Sequence, residues 1–243
     1  MVNKKGQVTI FIIIAIILIA AVALYFVFRD KISVSSDDST VTPITNFVQE
    51  CIDQTFENSL IAIAKQGGYS GYTYLEKTNE DGVTYYLLEG KDYMPSKKRV
   101  ETEISEYFER KFFLCSRHFV NFTDYQIREG NFESSTKIND QSVELEIKYP
   151  LTIIKGDKTS RIEYFESKVL IDFGIFYDSV FDFINQQKQV GDKLCLSCSE
   201  MAIENNIHVD MESYYGEIVI LTFTDDYSEL NNELFEWVFA NKY

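Results

Sequence analysis

The chain is 243 residues long, with 38 acidic residues against 23 basic ones, a net charge of −15, and only 2 histidines. Every acidic residue lies at Asp30 or beyond, together with 20 of the basic ones, so that part of the chain carries −18. A surface of this sign repels phosphate backbones and excludes nucleic acid as a partner, and 16 Tyr with 19 Phe exclude a largely disordered chain.

Lys4 and Lys5 precede an uncharged apolar run from Val8 to Phe28. Its 21 residues make about 30 Å of helix at ~1.5 Å per residue, the thickness of a bilayer's hydrocarbon. The run is longer than the apolar core of a removable secretory signal, and it ends in Tyr25-Phe26-Val27-Phe28-Arg29 with no small-residue cleavage site. Residues 1–29 are therefore expected to be a cytoplasmic stub and a retained transmembrane anchor, with the lipid bilayer as partner and the bulk of the chain outside the cell. Residues 30–42 are polar and Ser-rich, a linker.

Thr42-Pro43 pairs a capping residue with a proline suited to a first helical turn. Phe47, Val48, Cys51, Ile52, Phe56, Leu60, Ile61 and Ile63 then recur at three- and four-residue steps, the pattern of an amphipathic helix that stops at Gly67-Gly68. Tyr72–Leu75 and Val83–Leu88 flank Asn79-Glu-Asp-Gly82, a predicted hairpin. Pro95-Ser96 opens a second helix to about His118, with Val100, Ile104, Phe108, Phe112 and Cys115 on one face. Alternation at Val143–Tyr149 and again around Ile162–Ile171, with Gly156-Asp157 between, predicts paired strands. A third amphipathic helix is expected over Ile175–Gln189, a short one around Cys195–Asn205, and strands near Ile207–Met211, Glu217–Phe223 and Leu234–Ala240. Helices and strands come in blocks, so the expected class is α+β: amphipathic helices packed on antiparallel strands in one extracellular domain, 43–243.

The cysteines are the sharpest chemical candidates. Cys51 and Cys115 lie on the apolar faces of two predicted helices, and Cys195-Leu-Ser-Cys198 is a CxxC at a predicted helix start. In an oxidising exterior the expected bonds are Cys51–Cys115 and Cys195–Cys198. A zinc set of Cys115, His118, Cys195 and Cys198 is the metal alternative, and a redox dithiol at Cys195/Cys198 the catalytic one. Neither is preferred, so no cofactor or metal is expected. Asp172-Phe173-Gly174 lacks the companions of a kinase motif and is expected to end a strand. Gly156–Ser160 lacks the upstream glycine of a phosphate loop, and Asp225-Asp226 is expected to be a solvated turn. Asn121-Phe122-Thr123 is the single glycosylation sequon, with Asn121 the acceptor if the domain is exterior.

Lys4-Lys5-Gly6-Gln7-Val8-Thr9-Ile10-Phe11, followed by the apolar helix, resembles the class III signal of archaeal type IV pilin-like proteins. The resemblance covers about 22 residues, a tenth of the chain. It implies cleavage between Gly6 and Gln7 and an apolar helix that anchors the precursor and later lines a filament. The family commonly carries Glu where Phe11 stands, and its first helix runs unbroken into the head, where Ser35-Ser-Asp-Asp-Ser39 intervenes here.

The functional expectation is a non-catalytic, single-pass surface protein, N-terminus inside, with other surface or membrane proteins as partners. The alternatives are a pilin-like filament subunit and a membrane-tethered thiol oxidoreductase.

Overall fold

The computed structural model describes residues 41–70, 83–191, 193–214 and 217–243. The apolar run Val8–Phe28, the Gly6/Gln7 junction and the 72–75 arm of the predicted hairpin lie outside the described residues. Among the described residues no helix is long and apolar enough to cross a membrane. Pro43–Tyr243 forms one compact unit.

The unit is α+β, with helices packed on two sheets. Helix α1 (Thr42–Ala64) ends at Gly67 and Gly68, both at positive φ, where the Gly68 amide donates back to the Ile63 carbonyl at 2.8 Å. Glycine is required at 68 for space as well: a Cβ there would lie 2.9 Å from the Pro95 ring and 3.0 Å from Trp237. Strands β1 (Tyr85–Leu88) and β2 (Lys91–Asp92) form a small hairpin, and α2 (Lys97–Ser116) follows, capped by the Ser96 hydroxyl. Next come β3 (Gln126–Glu129), β4 (Glu133–Asn139), β5 (Ser142–Lys155) and β6 (Lys158–Leu170). Helix α3 (Phe173–Val190), a 3₁₀ turn (Leu196–Ser199) and the short α4 (Glu200–Glu204) lead to β7 (Ile207–Tyr214), β8 (Ile218–Leu230) and β9 (Glu233–Lys242).

The first sheet is built on β5. Strands β3 and β4 share one of its edges, and β6 takes the other, all antiparallel. Pro150 sits in this central strand, where a missing amide would normally break the ladder. Here the pairing with β6 shifts register between Lys148 and Leu151, and the β3–β4 break falls opposite the same point. Gly130 closes that break, since a Cβ on it would meet the Pro150 ring at 3.0 Å. One face of β5 (Val143, Leu145, Ile147, Tyr149, Leu151, Ile153) is buried and the alternate residues face outward.

Helices α1 and α2 run antiparallel and are joined by the Cys51–Cys115 disulfide and the Phe56–Phe108 edge contact. On the β6 side of the sheet, Gln49 of α1 donates to the Glu166 carbonyl, and the Ser167 hydroxyl donates to Asp53. On the β4 side the fit is regular. The backbone amides of Ile138, Thr136 and Ser134 donate to Glu101, the Ser105 hydroxyl and Glu109 at 3.0, 2.9 and 2.7 Å. Helix residues four apart are separated by about 6 Å and alternate strand residues by about 6.7 Å, so the two periods stay in step over three contacts.

The second sheet runs β2-β1-β9-β8-β7. All its pairings are antiparallel except β1 with β9, which is parallel and departs from the antiparallel expectation. The sequence predicts Val83–Leu88 as one arm of a local hairpin; beyond the β2 hairpin, β1's other described neighbour is the last strand of the chain. The β8–β9 turn uses Asn231-Asn232, both at positive φ, as a two-residue hairpin requires. Helix α3 covers this sheet through Phe173, Phe176 and Phe183, packed on Phe223, Phe235, Trp237 and Phe239. The Trp237 indole donates to the Tyr86 hydroxyl, which donates to the Gly67 carbonyl at the end of α1.

Two expectations are corrected, and one stretch that carried no expectation is filled. Residues 126–139 carry two strands that the hydrophobic pattern does not signal. Asp172-Phe173-Gly174 opens α3 instead of ending a strand; Gly174 is there because a Cβ would lie 2.5 Å from the Asn139 carbonyl oxygen. Asp225-Asp226 is no solvated turn: it lies within β8 at a register shift, and Asp225 is buried and accepts the Tyr227 amide.

Replacing Ser105 with Ala should lower stability by about 1–3 kcal/mol, because the buried Thr136 amide loses its acceptor. Urea denaturation measures this, and an unchanged midpoint would show that the contacts along β4 are incidental.

Candidate functional site

Two disulfides account for all four cysteines. Cys51 and Cys115 are bonded, and Cys195 and Cys198 are bonded, leaving no free thiol. The zinc alternative is not assembled, because Cys115 is tied to Cys51 and His118 faces Glu129. Among the described residues no group of three or more His, Cys, Asp or Glu side chains could hold a metal ion.

The CxxC follows α3, with its cysteines 7% and 2% exposed. Buried Gln187 organises the loop: its amide group donates to the carbonyls of Gly191 and Lys193, and its oxygen accepts the Cys195 amide. A glutamine that donates twice and accepts once fixes the approach of the chain to the disulfide. A catalytic dithiol needs an accessible thiolate, whereas this pair is enclosed.

The most unusual geometry lies where α2 ends. Arg117, His118 and Phe119 all take positive φ, at 42°, 48° and 59°. Side-chain-bearing residues enter this region singly, at roughly 1–2 kcal/mol each, and three in succession form a left-handed turn. What holds it is visible on both sides. The turn follows Cys115 closely, and Phe119 is buried against Phe47 of α1 and Phe122. The His118 ring stacks on Phe113 with centroids 5.3 Å apart, and its Nδ1 lies 3.1 Å from both Glu129 oxygens. Glu129 also accepts from the Tyr149 hydroxyl. Burial, reinforced by the Glu129 carboxylate, holds that hydroxyl protonated well above the usual tyrosine range. Phe112, Phe113, Phe132 and Tyr149 form the aromatic bed beneath. The Ser116 hydroxyl, buried in the last turn of α2, has no hydrogen-bond partner among the described residues.

No family model matches the chain, and no curated protein or solved structure matches it.

At this end of the molecule Asn121 and Thr123 of the sequon are exposed just past the left-handed turn, with Phe122 between them packed on Phe47 at 5.1 Å. The remaining histidine, His208, is exposed on β7 beside Asp210. Gly6 and Gln7 lie outside the described residues. The sequence signals Cys115 and His118 by their spacing; Glu129 and Tyr149 reach the same place through β3 and β5 and have no local signal.

A second cluster lies at the start of α2. The Tyr177 hydroxyl donates to the Pro95 carbonyl at 2.8 Å, and burial, with Asp178 adding to it, pushes its pKa up to about 12. Lys97 is 5.3 Å from the centre of the same ring, and Lys188 pairs with Asp92 across the nearby cleft.

Two outcomes are expected. Ser116→Ala removes an unpaired buried hydroxyl and Arg117→Gly relieves one left-handed residue, so each should leave stability unchanged or raise it by up to about 1 kcal/mol. A loss above that on thermal denaturation would show that these groups are supported in ways the geometry does not reveal. Separately, the folded state favours protonated Tyr177, so its contribution is whole below the ordinary tyrosine pKa near 10 and is lost as pH rises through about 12. Urea midpoints followed upward from pH ~9 should fall across that window and fall less in Tyr177→Phe; identical slopes for the two proteins would contradict the assignment.

Proposed function

We propose that the chain is a non-catalytic, single-pass membrane-anchored cell-surface protein whose 43–243 domain acts as a binding or structural module. The observation that carries the reading is the pairing of every cysteine into a disulfide, which suits an oxidising exterior and not a reducing cytosol. The uncharged Val8–Phe28 run behind Lys4 and Lys5 supplies the anchor and the orientation, N-terminus cytoplasmic. The bilayer is then the first partner, and other surface or membrane proteins are the expected second, with nucleic acid disfavoured by the acidic surface.

The thiol-oxidoreductase reading is weaker because the CxxC is enclosed and clamped by Gln187. The filament reading rests on Lys4–Phe11 and the apolar run that follows, and the start of the mature chain separates it from a plain anchor.

An epitope placed after Tyr243 should be removed by protease added to intact cells, with the chain resisting carbonate extraction. Protection of the epitope until lysis would reverse the orientation, and release by carbonate would remove the anchor. Intact mass of the extracted protein should show Met1 or Val2 at the terminus; a chain beginning at Gln7 would move the reading to a pilin-like subunit.

A further inference from the structure

The acidic character of the domain gives way at the end of α2. From Arg110 to Thr123 there is no acidic residue, while Arg110, Lys111 and Arg117 are basic. Tyr107, Arg110, Lys111 and Leu114 follow one another at three- and four-residue steps on the last turns of α2, and Arg110 and Lys111 lie 5.9 and 5.4 Å from the centre of the Tyr107 ring. Arg117 and Val120 follow at the left-handed turn, both exposed, with the Val120 amide donating to the Arg117 carbonyl. Leu114 is 67% exposed and Val120 63%.

The location of this patch gives the partner. Helices α1 and α2 are antiparallel, so the C-terminal end of α2 stands beside the first turns of α1, as the Phe47–Phe122 contact shows. That is the end at which the preceding chain enters the domain. Thirteen residues separate Phe28 from Thr42, so covalent geometry alone keeps the entry point within ~50 Å of the end of the apolar run.

We propose that this surface, centred on Leu114 and Val120 and ringed by Tyr107, Arg110, Lys111 and Arg117, docks on the lipid surface of the membrane that anchors the chain. The proposal rests on the anchored reading above. Apolar side chains enter the headgroup region, an amphipathic tyrosine sits at its level, and basic groups meet anionic headgroups. The left-handed turn has a role in this arrangement: it ends α2 abruptly and swings Val120 out beside Arg117 instead of continuing the helix. The rest of the domain, negatively charged, is repelled by the same leaflet, so docking selects one orientation.

Full-length protein is reconstituted into vesicles of equal parts phosphatidylcholine and phosphatidylglycerol, with brominated acyl chains as fluorescence quencher. The native Trp237 is fully buried and gives a constant background. Val120→Trp should be quenched several-fold more than Tyr227→Trp, a control on an 80% exposed residue of β8. Each of Arg110→Gln, Lys111→Gln and Arg117→Gln should lower the docked-to-undocked ratio about fivefold, and added salt should act in the same direction. Protein that floats with the vesicles but shows equal quenching at the two positions overturns the docking and leaves the anchor standing. Protein that does not float overturns the anchor itself. A Val120→Trp signal shielded by contact with a second copy, seen as crosslinking that grows with protein-to-lipid ratio, also overturns the docking. So does a glycan at full occupancy on Asn121, which would hold this face off the bilayer.

Discussion

The architecture of the first half of the domain depends on a match between two repeat lengths. An edge strand exposes every second amide, and a helix presents every fourth side chain in line; these distances differ by less than an ångström per step. Glu101, Ser105 and Glu109 therefore serve β4 as a neighbouring strand would, answering Ile138, Thr136 and Ser134 in turn. An uncovered strand edge invites pairing with other chains, and here a helix closes it. Helix α1 makes a looser version of the same arrangement at β6. The two helices span a sheet only three strands wide, and the Cys51–Cys115 bond keeps them side by side. By closing a loop of 64 residues that bond also removes conformational freedom from the unfolded chain, an effect of about 4 kcal/mol on the entropic account.

This device explains where the sequence is readable. The three helices are legible because their apolar faces recur at helical steps, and α1 and α3 are bounded within a few residues. Strands β5 and β6 are legible because β5 alternates cleanly between core and solvent. Strand β4 is not, because Glu133-Ser-Ser-Thr-Lys-Ile-Asn139 commits its side chains and amides to polar contacts with α2, leaving little hydrophobic pattern. The α+β class follows from the block order of elements. The parallel union of β1 with β9 does not, since nothing local to Tyr85–Leu88 names a partner some 150 residues away.

The candidate site divides in the same way. Cys51 and Cys115 are each on an apolar stripe, so their meeting is legible; the CxxC leaves a local bond, a metal and a redox dithiol all open at the level of sequence. The left-handed turn is invisible, because Arg117-His118-Phe119 contains none of the glycine or asparagine that normally announces positive φ. Its local cost is met by tertiary contacts: the disulfide before it, Phe119 buried against α1, and His118 held between Phe113 and Glu129. Strain of this kind persists only where the surroundings over-determine it. In this chain it coincides with a stretch that carries three basic residues and no acidic one.

The parallel pairing of β1 with β9 has a consequence for the order in which the molecule can be made. Synthesis delivers β1 early and β9 last, so Tyr85–Leu88 waits for Ala240–Lys242 before the second sheet can close. The sheet on β5 has all its strands by Leu170, so its pairing can be complete while the rest is still emerging. Holding the second half of the core open until β9 is available makes the timing of its closure a property of the topology.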